Sequence, residues 1–355
     1  METETNNIDI QLTSNSRIAE LEEGLKKFGR VFSDHMFIVE YSDGEWQQPK
    51  IEPYKALSLS PSTSAIHYGQ SIFEGMKAYK NIEGKSMIFR PLENIRRLNK
   101  SAVRMCMPEI PEELFYDGLK QLLEVDNDWI PTQENSSLYI RPFMFATDEY
   151  IGVKPSDTYK FIIFTTPVGS YYSEPVKVKV ESHFTRSASG GVGFAKAAGN
   201  YAASLYPAKL AQEQGYHQLV WTDHTEHKYI EESGTMNIMF LIGDTLVTPP
   251  TSDTILAGIT RDSVLTLVKD LGVNVEERKI SINEVVEAAK SGTLKEAFGT
   301  GTAATIAQIA VFHYNGIDHE LPAVKTRQLS NKVSQHLQDL KRGNAEDIHN
   351  WIVEL

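Results

Sequence analysis

The sequence predicts a two-domain protein of mixed α+β and α/β character, and three observations carry that reading. The chain is 355 residues long, enough for a large core and more than one domain. In its first half, strand patterns and helix patterns come in clusters rather than in regular βαβ repeats. The segment Pro167–Pro175 is rich in turn residues and lies between two strand patterns, as a linker does. The boundaries follow as a smaller domain over residues 1–168, a linker at 169–176 and a larger domain over 177–355.

The elements justify this in order. The first 16 residues are polar, and Glu20–Phe28 reads as a short helix. Met36–Tyr41 is a strand closed by the turn Ser42-Asp43-Gly44. Ser86–Arg90 is a further strand, and Pro91 then opens a helix over Leu92–Met105, carrying Arg96, Arg97, Lys100 and Arg104. One arginine of this group could reach inward to an anion, which its planar fork suits. Glu112–Leu123 is helical. Ser137–Ala146 alternates as a strand with Tyr139 and Arg141 on one face, and Tyr159–Thr166 belongs to the same sheet. Past the linker, Val176–Val180 alternates cleanly, and a helix runs from about Tyr201 to Gln214 with Gly215 as its cap. Leu219–Trp221 is a short strand, and a longer one reaches Ile242. The helix Arg261–Leu271, a strand at Ile306–Tyr314 and an amphipathic helix at Thr326–Lys341 complete the chain.

Composition excludes several classes of function. A net charge of -12 leaves no basic excess to neutralise nucleic acid or an anionic membrane. No run of 18 apolar residues occurs, so no membrane span is expected. The single cysteine, Cys106, rules out an intrachain disulfide and suits a reducing compartment. The first twelve residues carry acids and no lysine or arginine, unlike a targeting peptide. A cytoplasmic protein is expected. Asp223–His227 holds two histidines and two acids, but without the spacing of a zinc site, and no metal is expected.

The chemistry gathers at Gly190–Tyr201. Lys196 stands among glycines and alanines, with no carboxylate in the ten residues that follow. A desolvated amine loses proton affinity and becomes a nucleophile towards carbonyls. The motif Gly191-x-Gly193 mimics a dinucleotide fingerprint, but Lys196 replaces the third glycine. Two further stretches read as anion nests. Leu256-Ala257-Gly258-Ile259-Thr260 leads into a helix whose N-terminus can face a phosphate. Phe298-Gly299-Thr300-Gly301-Thr302-Ala303-Ala304 reads as a second turn of donors. Glu231 and Glu232 precede a small-residue turn and could present one acid to a site.

These residues, with His67-Tyr68, Phe73-Glu74-Gly75-Met76-Lys77, Phe89-Arg90-Pro91 and Tyr139-Ile140-Arg141-Pro142, resemble the branched-chain amino-acid aminotransferases. That family consists of pyridoxal-phosphate enzymes of fold type IV, the D-amino-acid aminotransferase-like fold. The resemblance runs from about Pro53 to the C-terminus. It continues through Lys196-Ala197-Ala198-Gly199-Asn200-Tyr201, Glu232, Gly234-Thr235-Met236-Asn237, Leu256–Arg261 and Gly301-Thr302-Ala303.

The resemblance implies transamination of L-leucine, L-isoleucine and L-valine with 2-oxoglutarate, ping-pong through a Schiff base of pyridoxal 5'-phosphate on Lys196. In that scheme Lys196 also shuttles the substrate proton. Glu232 bonds the pyridine nitrogen, Tyr201 the ring's phenolic oxygen, and Leu256 packs on the ring. Arg97, Thr302 and the amides of Ile259 and Thr260 hold the phosphate. Tyr139 and the Thr302–Ala303 backbone hold the substrate carboxylate, Tyr68, Phe73 and Tyr171 line an apolar pocket, and Arg141 receives the acidic side chain of glutamate. A homodimer is implied, because in the family some pocket walls come from the partner subunit. Some animal relatives carry Cys-x-x-Cys where this chain has Ala304-Thr305-Ile306-Ala307, so a thiol switch is not expected there. Within the same fold type, a D-amino-acid aminotransferase or an aminodeoxychorismate lyase would keep Lys196 and Glu232 with a different pocket.

Overall fold

The computed structural model describes residues 7–170 and 174–355, and its contacts divide the chain into two compact units. The first comprises Met1–Tyr171, Ala195–Ala198 and Asp339–Leu355; the second comprises Tyr172–Phe194 and Gly199–Gln338.

The first unit is built on a ten-stranded sheet. Its strands are β1 (Asp9–Ile10), β2 (His35–Ser42), β3 (Glu45–Trp46), β4 (Lys50–Pro53), β5 (Ser71–Phe73), β6 (Met76–Lys80), β7 (Ser86–Phe89), β8 (Ser137–Ala146), β9 (Tyr159–Val168) and the chain's last strand, Ile352–Glu354. The spatial order is β1-β4-β2-β9-β8-β6-β7 and then the last strand, with β3 on β2 and β5 on β8. Helices α1 (Leu21–Lys26), α2 (Ser64–Tyr68), α3 (Pro91–Arg104) and α4 (Glu112–Val125) accompany it.

Alternation along β8 decides what each face does. Leu138, Ile140, Met144 and Ala146 join Ile95, Leu98 and Ala102 of α3 and Phe115, Leu119 and Leu122 of α4 in one core. Each fully buried aliphatic side chain there contributes on the order of 2 kcal/mol. The intervening residues Tyr139, Arg141 and Phe143 therefore stand on the opposite face. Helix α3 begins at Pro91, whose fixed φ suits a first turn and whose missing N–H costs nothing there. Its buried residues Asn94, Ile95, Leu98, Ser101 and Ala102 recur at helical spacing and set its inner face.

The second unit holds a nine-stranded sheet in the order β12-β11-β10-β17-β16-β13-β14-β15, with β18 on β17. Its strands are β10 (Val176–Val180), β11 (Gln218–Thr222), β12 (Ile230–Ser233), β13 (Met236–Ile242), β14 (Thr245–Thr248), β15 (Asn274–Glu277), β16 (Leu294–Gly301), β17 (Thr305–Tyr314) and β18 (Ile317–Glu320). The helices are α5 (Ala198–Glu213), α6 (Ile259–Asp270), α7 (Ile282–Lys290) and α8 (Leu329–Lys341). Three strand pairs are parallel, β10 with β11, β10 with β17 and β14 with β15. Parallel neighbours need a crossover, and α5 and α6 supply it for the first and third pairs. Ile238 and Phe240 of β13 face a core with Val285 of α7, Ala297 and Ile309, so Asn237 and Met239 face the other way.

Two expectations change, the start of α5 and the turn at Phe298–Gly301. Helix α5 begins at Ala198, three residues before Tyr201. Glu231 and Glu232 lie in β12, immediately before the Gly234-Thr235 turn that leads into β13. Phe298–Gly301 is not a turn: it is the end of β16, hydrogen-bonded to β13 on one side and β17 on the other. Its backbone donors serve the sheet, and only the stretch after Gly301 remains a turn.

Candidate functional site

In the first unit the backbone of Lys196 is tied down on both sides. Its N–H donates to Ser101 Oγ at 3.0 Å, its carbonyl accepts from the Phe73 amide at 3.1 Å, and Ala197 bridges to Ile72. The Lys196 side chain thereby reaches Phe73, with Nζ 4.7 Å from the ring centroid. Arg141 approaches the same ring, its Cζ also 4.7 Å from the centroid. Arg141 Nη2 donates to the Tyr139 hydroxyl at 3.2 Å. Lys196, Phe73, Arg141 and Tyr139 thus form one cluster. A basic group over an aromatic face is held electrostatically, and Lys196 and Arg141 over the Phe73 ring, with the Tyr139 phenol beside Arg141, make a place for anionic groups. The Tyr139 hydroxyl sits against Gly75, where a Cβ would overlap it. Only glycine fits there.

Arg97 points inward from α3, and its partner is Glu74. Nε donates to Oε1 at 2.7 Å and Nη2 to Oε2 at 2.9 Å, the bidentate geometry that a guanidinium favours. Glu74 is fully buried and also accepts from Asn94 Nδ2 at 2.8 Å and from the Gly75 amide at 3.1 Å. Burial alone would raise this carboxyl; the charge and hydrogen bonds of Arg97, with smaller help from Lys196 and Asn94, hold it below the usual range. Tyr68 stands apart from the cluster: it ends α2, is 43% exposed and packs on His67 at 6.2 Å. Tyr171 lies outside the described residues.

The second unit carries the acid. Glu232 is 3% exposed, with Arg186 Nη1 2.7 Å from its Oε2 and Asn237 Nδ2 donating to its Oε1 at 3.2 Å. Arg186 is itself anchored, giving Nη1 to the Thr254 carbonyl at 3.0 Å. Asn237 Nδ2 donates a second time, to the Leu256 carbonyl at 2.9 Å, so Leu256 and Glu232 meet on one side chain. Ile259 and Thr260 open helix α6, whose N-cap is Gly258. Glycine has no side chain to occupy the first amides, which leaves a helix N-terminus suited to an anion. Tyr201 lies half-buried in the first turn of α5, and Thr302 and Ala303, also half-buried, form the turn from β16 to β17.

Three residues of these constellations carry no local signal of their role. Glu74 stands inside a motif already noted, but only its contact with Arg97, 23 positions away, reveals what it does. Arg186 likewise acts through Glu232, distant in sequence, and Asn237 reaches Leu256 19 positions away. The Asp223 carboxylate accepts from the amides of Glu226, Lys228 and Tyr229, so it shapes its own turn.

Residues 71–312 match the family model of amino-transferase class IV, and the chain belongs to that family. It is 46% identical over 352 residues to branched-chain-amino-acid aminotransferase 2 of Bacillus subtilis, covering 98% of this chain and 97% of that protein. It is 40% identical to the branched-chain-amino-acid aminotransferase of Mycolicibacterium smegmatis, over 92% of each chain. Among solved structures, the branched-chain amino acid aminotransferase of Escherichia coli superposes with a TM-score of 0.73 at 27% identity, covering 90% of this chain and 98% of that one. The fold is therefore that of the fold type IV aminotransferases.

Proposed function

We propose that this chain is a pyridoxal-phosphate-dependent aminotransferase that moves the amino group between L-leucine, L-isoleucine or L-valine and 2-oxoglutarate. The observation that carries the reading is the cluster of Lys196, Phe73, Arg141 and Tyr139. It joins an amine to an apolar ring and to donors for a carboxylate, on a chain whose relatives bear that name. Those relatives favour this activity over the D-amino-acid aminotransferase and lyase alternatives.

The residues fit the cofactor. A basic ring nitrogen needs a buried acid, and Glu232 is one; a phosphate needs uncapped amides, and α6 begins on glycine. A single side chain, Asn237, touches both the acid and the turn that leads into α6. When bound, pyridoxal phosphate supplies a carbonyl for the amine and a ring that takes up the electrons left when the Cα proton departs. Lys196 would hold the cofactor and carry that proton. Glu232, with Arg186 beside it, would keep a proton on the ring nitrogen, while Tyr201 would donate to the ring oxygen and Leu256 would pack on the ring. Ile259, Thr260, Thr302 and Arg97 serve the phosphate, Arg97 being oriented by Glu74.

Tyr139 and the Thr302–Ala303 backbone orient the substrate carboxylate. Phe73, with Tyr68 and Tyr171, provides apolar contact for a branched side chain, and Arg141 receives the second carboxylate of glutamate. One site serving both half-reactions gives ping-pong kinetics.

A homodimer completes this reading. Ile66 (60% exposed), Ile151 (77%) and Val153 (92%) lie bare on the first unit, and a bridge from Thr63 to Glu149 brings their two segments together. Large exposed apolar groups of this kind mark association surfaces. The cytoplasm is the proposed compartment; no helix of the described residues is long and apolar enough to cross a membrane.

The test is a steady-state assay with L-leucine and 2-oxoglutarate, alongside Lys196→Ala. Parallel double-reciprocal lines and a silent variant are expected. Turnover at the wild-type rate in Lys196→Ala would remove that lysine from the mechanism.

A further inference from the structure

We infer that Asn237 is a positioning residue that couples the acid Glu232 to the turn leading into α6, so that one neutral side chain sets both ends of the cofactor half-site. The inference rests on the proposed roles of Glu232 and of the α6 N-terminus.

The geometry is specific. Asn237 in β13 lies in register with Glu232 on β12 and with Thr300 on β16, so the three side chains form a row on one sheet face. Asn237 is 5% exposed, and its Nδ2 is split between Glu232 Oε1 at 3.2 Å and the Leu256 carbonyl at 2.9 Å. Its Oδ1 lies where a Cβ on residue 258 would overlap it. The helix-entry turn therefore rests directly on this amide. Thr300 Oγ1, at the end of the row, is buried without a hydrogen-bond partner. A buried hydroxyl in that condition points to a polar group missing from this face.

The amide is the chemistry this position requires. Arg186 already brings one positive charge to Oε2, and a second cation at Oε1 would weaken the carboxylate's hold on a protonated ring nitrogen. A carboxylate at 237 would instead face Glu232 across about 3 Å and drive one of the pair to take up a proton. A short neutral donor satisfies both acceptors without changing the charge.

The test is a double-mutant cycle read as cofactor affinity. Full-length apoprotein is titrated with pyridoxal 5'-phosphate and with pyridoxal, and the ratio of the two dissociation constants reports the phosphate's share of binding. Coupling through Asn237 means that Glu232→Gln changes this ratio by about fivefold or more in the wild-type background. In the Asn237→Ala background the same substitution leaves the ratio unchanged. Asn237→Ser, which keeps one short donor, gives an intermediate effect and replaces the alanine variant if that one does not fold.

Equal effects of Glu232→Gln in both backgrounds would overturn the inference and leave Asn237 as a hairpin bond alone. An unchanged ratio in the wild-type background would overturn it as well. Failure of the wild-type chain to bind pyridoxal 5'-phosphate would overturn the proposed function first, and the inference with it.

Discussion

Arg186 and Glu232 form a buried ion pair, with Nη1 2.7 Å from Oε2 and side chains 7% and 5% exposed. Removing one member of such a pair leaves an uncompensated charge in the interior, which costs about 3–5 kcal/mol. Arg186→Met should therefore lower the free energy of unfolding by about 3 kcal/mol or more in a urea titration. It should also reduce turnover by at least about tenfold, an estimate drawn from the value of charged contacts at such sites. Wild-type stability together with wild-type turnover would show that Glu232 does not depend on this arginine.

Gly75 gives a test of the substrate contact. A methyl at this position overlaps the Tyr139 hydroxyl, so Gly75→Ala must displace that ring and its bond from Arg141. The expected outcome is a rise in KM for both substrates of about tenfold, the loss of one hydrogen bond to a charged group. The visible spectrum of the bound cofactor should be unaltered. A shifted spectrum with an unchanged KM would place Tyr139 with the cofactor instead.

The buried amine of Lys341 gives a pH prediction. Burial, then the nearby charge of Lys77, lowers it to about 7, and burial lowers Lys77 itself to about 8. The Lys341 ring neighbours, Phe89 at 4.9 Å and Tyr79 at 5.9 Å, accept a methionine readily. Between pH 7 and the ordinary lysine value of 10.5 the unfolded chain binds the extra proton, so stability of the native protein rises with pH across that window. Lys341→Met should thus raise Tm most below pH 7, with the gain shrinking as pH approaches 10. A gain that stays constant over this range would show that the amine is not titrating.

Much of the fold is legible in residue order. The alternation of Ser137–Ala146 marks β8 at its observed limits, and Pro91 ahead of a helical apolar spacing marks α3. Helix α7 carries a local signal as well: Ser281 Oγ accepts from the Glu284 amide at 3.1 Å, the capping-box pattern. Phe298–Gly301 is different, since its small residues favour a turn and only pairing on both sides makes it a strand.

The candidate site divides along the same line. Lys196, Tyr139 and Arg141 announce themselves through neighbours close in sequence. Glu74 meets Arg97 at a separation of 23 and Asn237 meets Leu256 at 19, and no local period encodes such contacts. Arg186 is legible only once the fold brings it to Glu232.

The central claim is that Lys196 holds pyridoxal phosphate and that the loaded enzyme takes the amino group from a branched-chain amino acid. A visible absorbance spectrum of the purified protein, recorded before and after L-leucine and then after 2-oxoglutarate, tests it most directly. The account requires a yellow band that L-leucine bleaches and 2-oxoglutarate restores, and its absence in Lys196→Ala. A band that answers to a D-amino acid but not to L-leucine, or a protein that stays colourless with added pyridoxal phosphate, would contradict it.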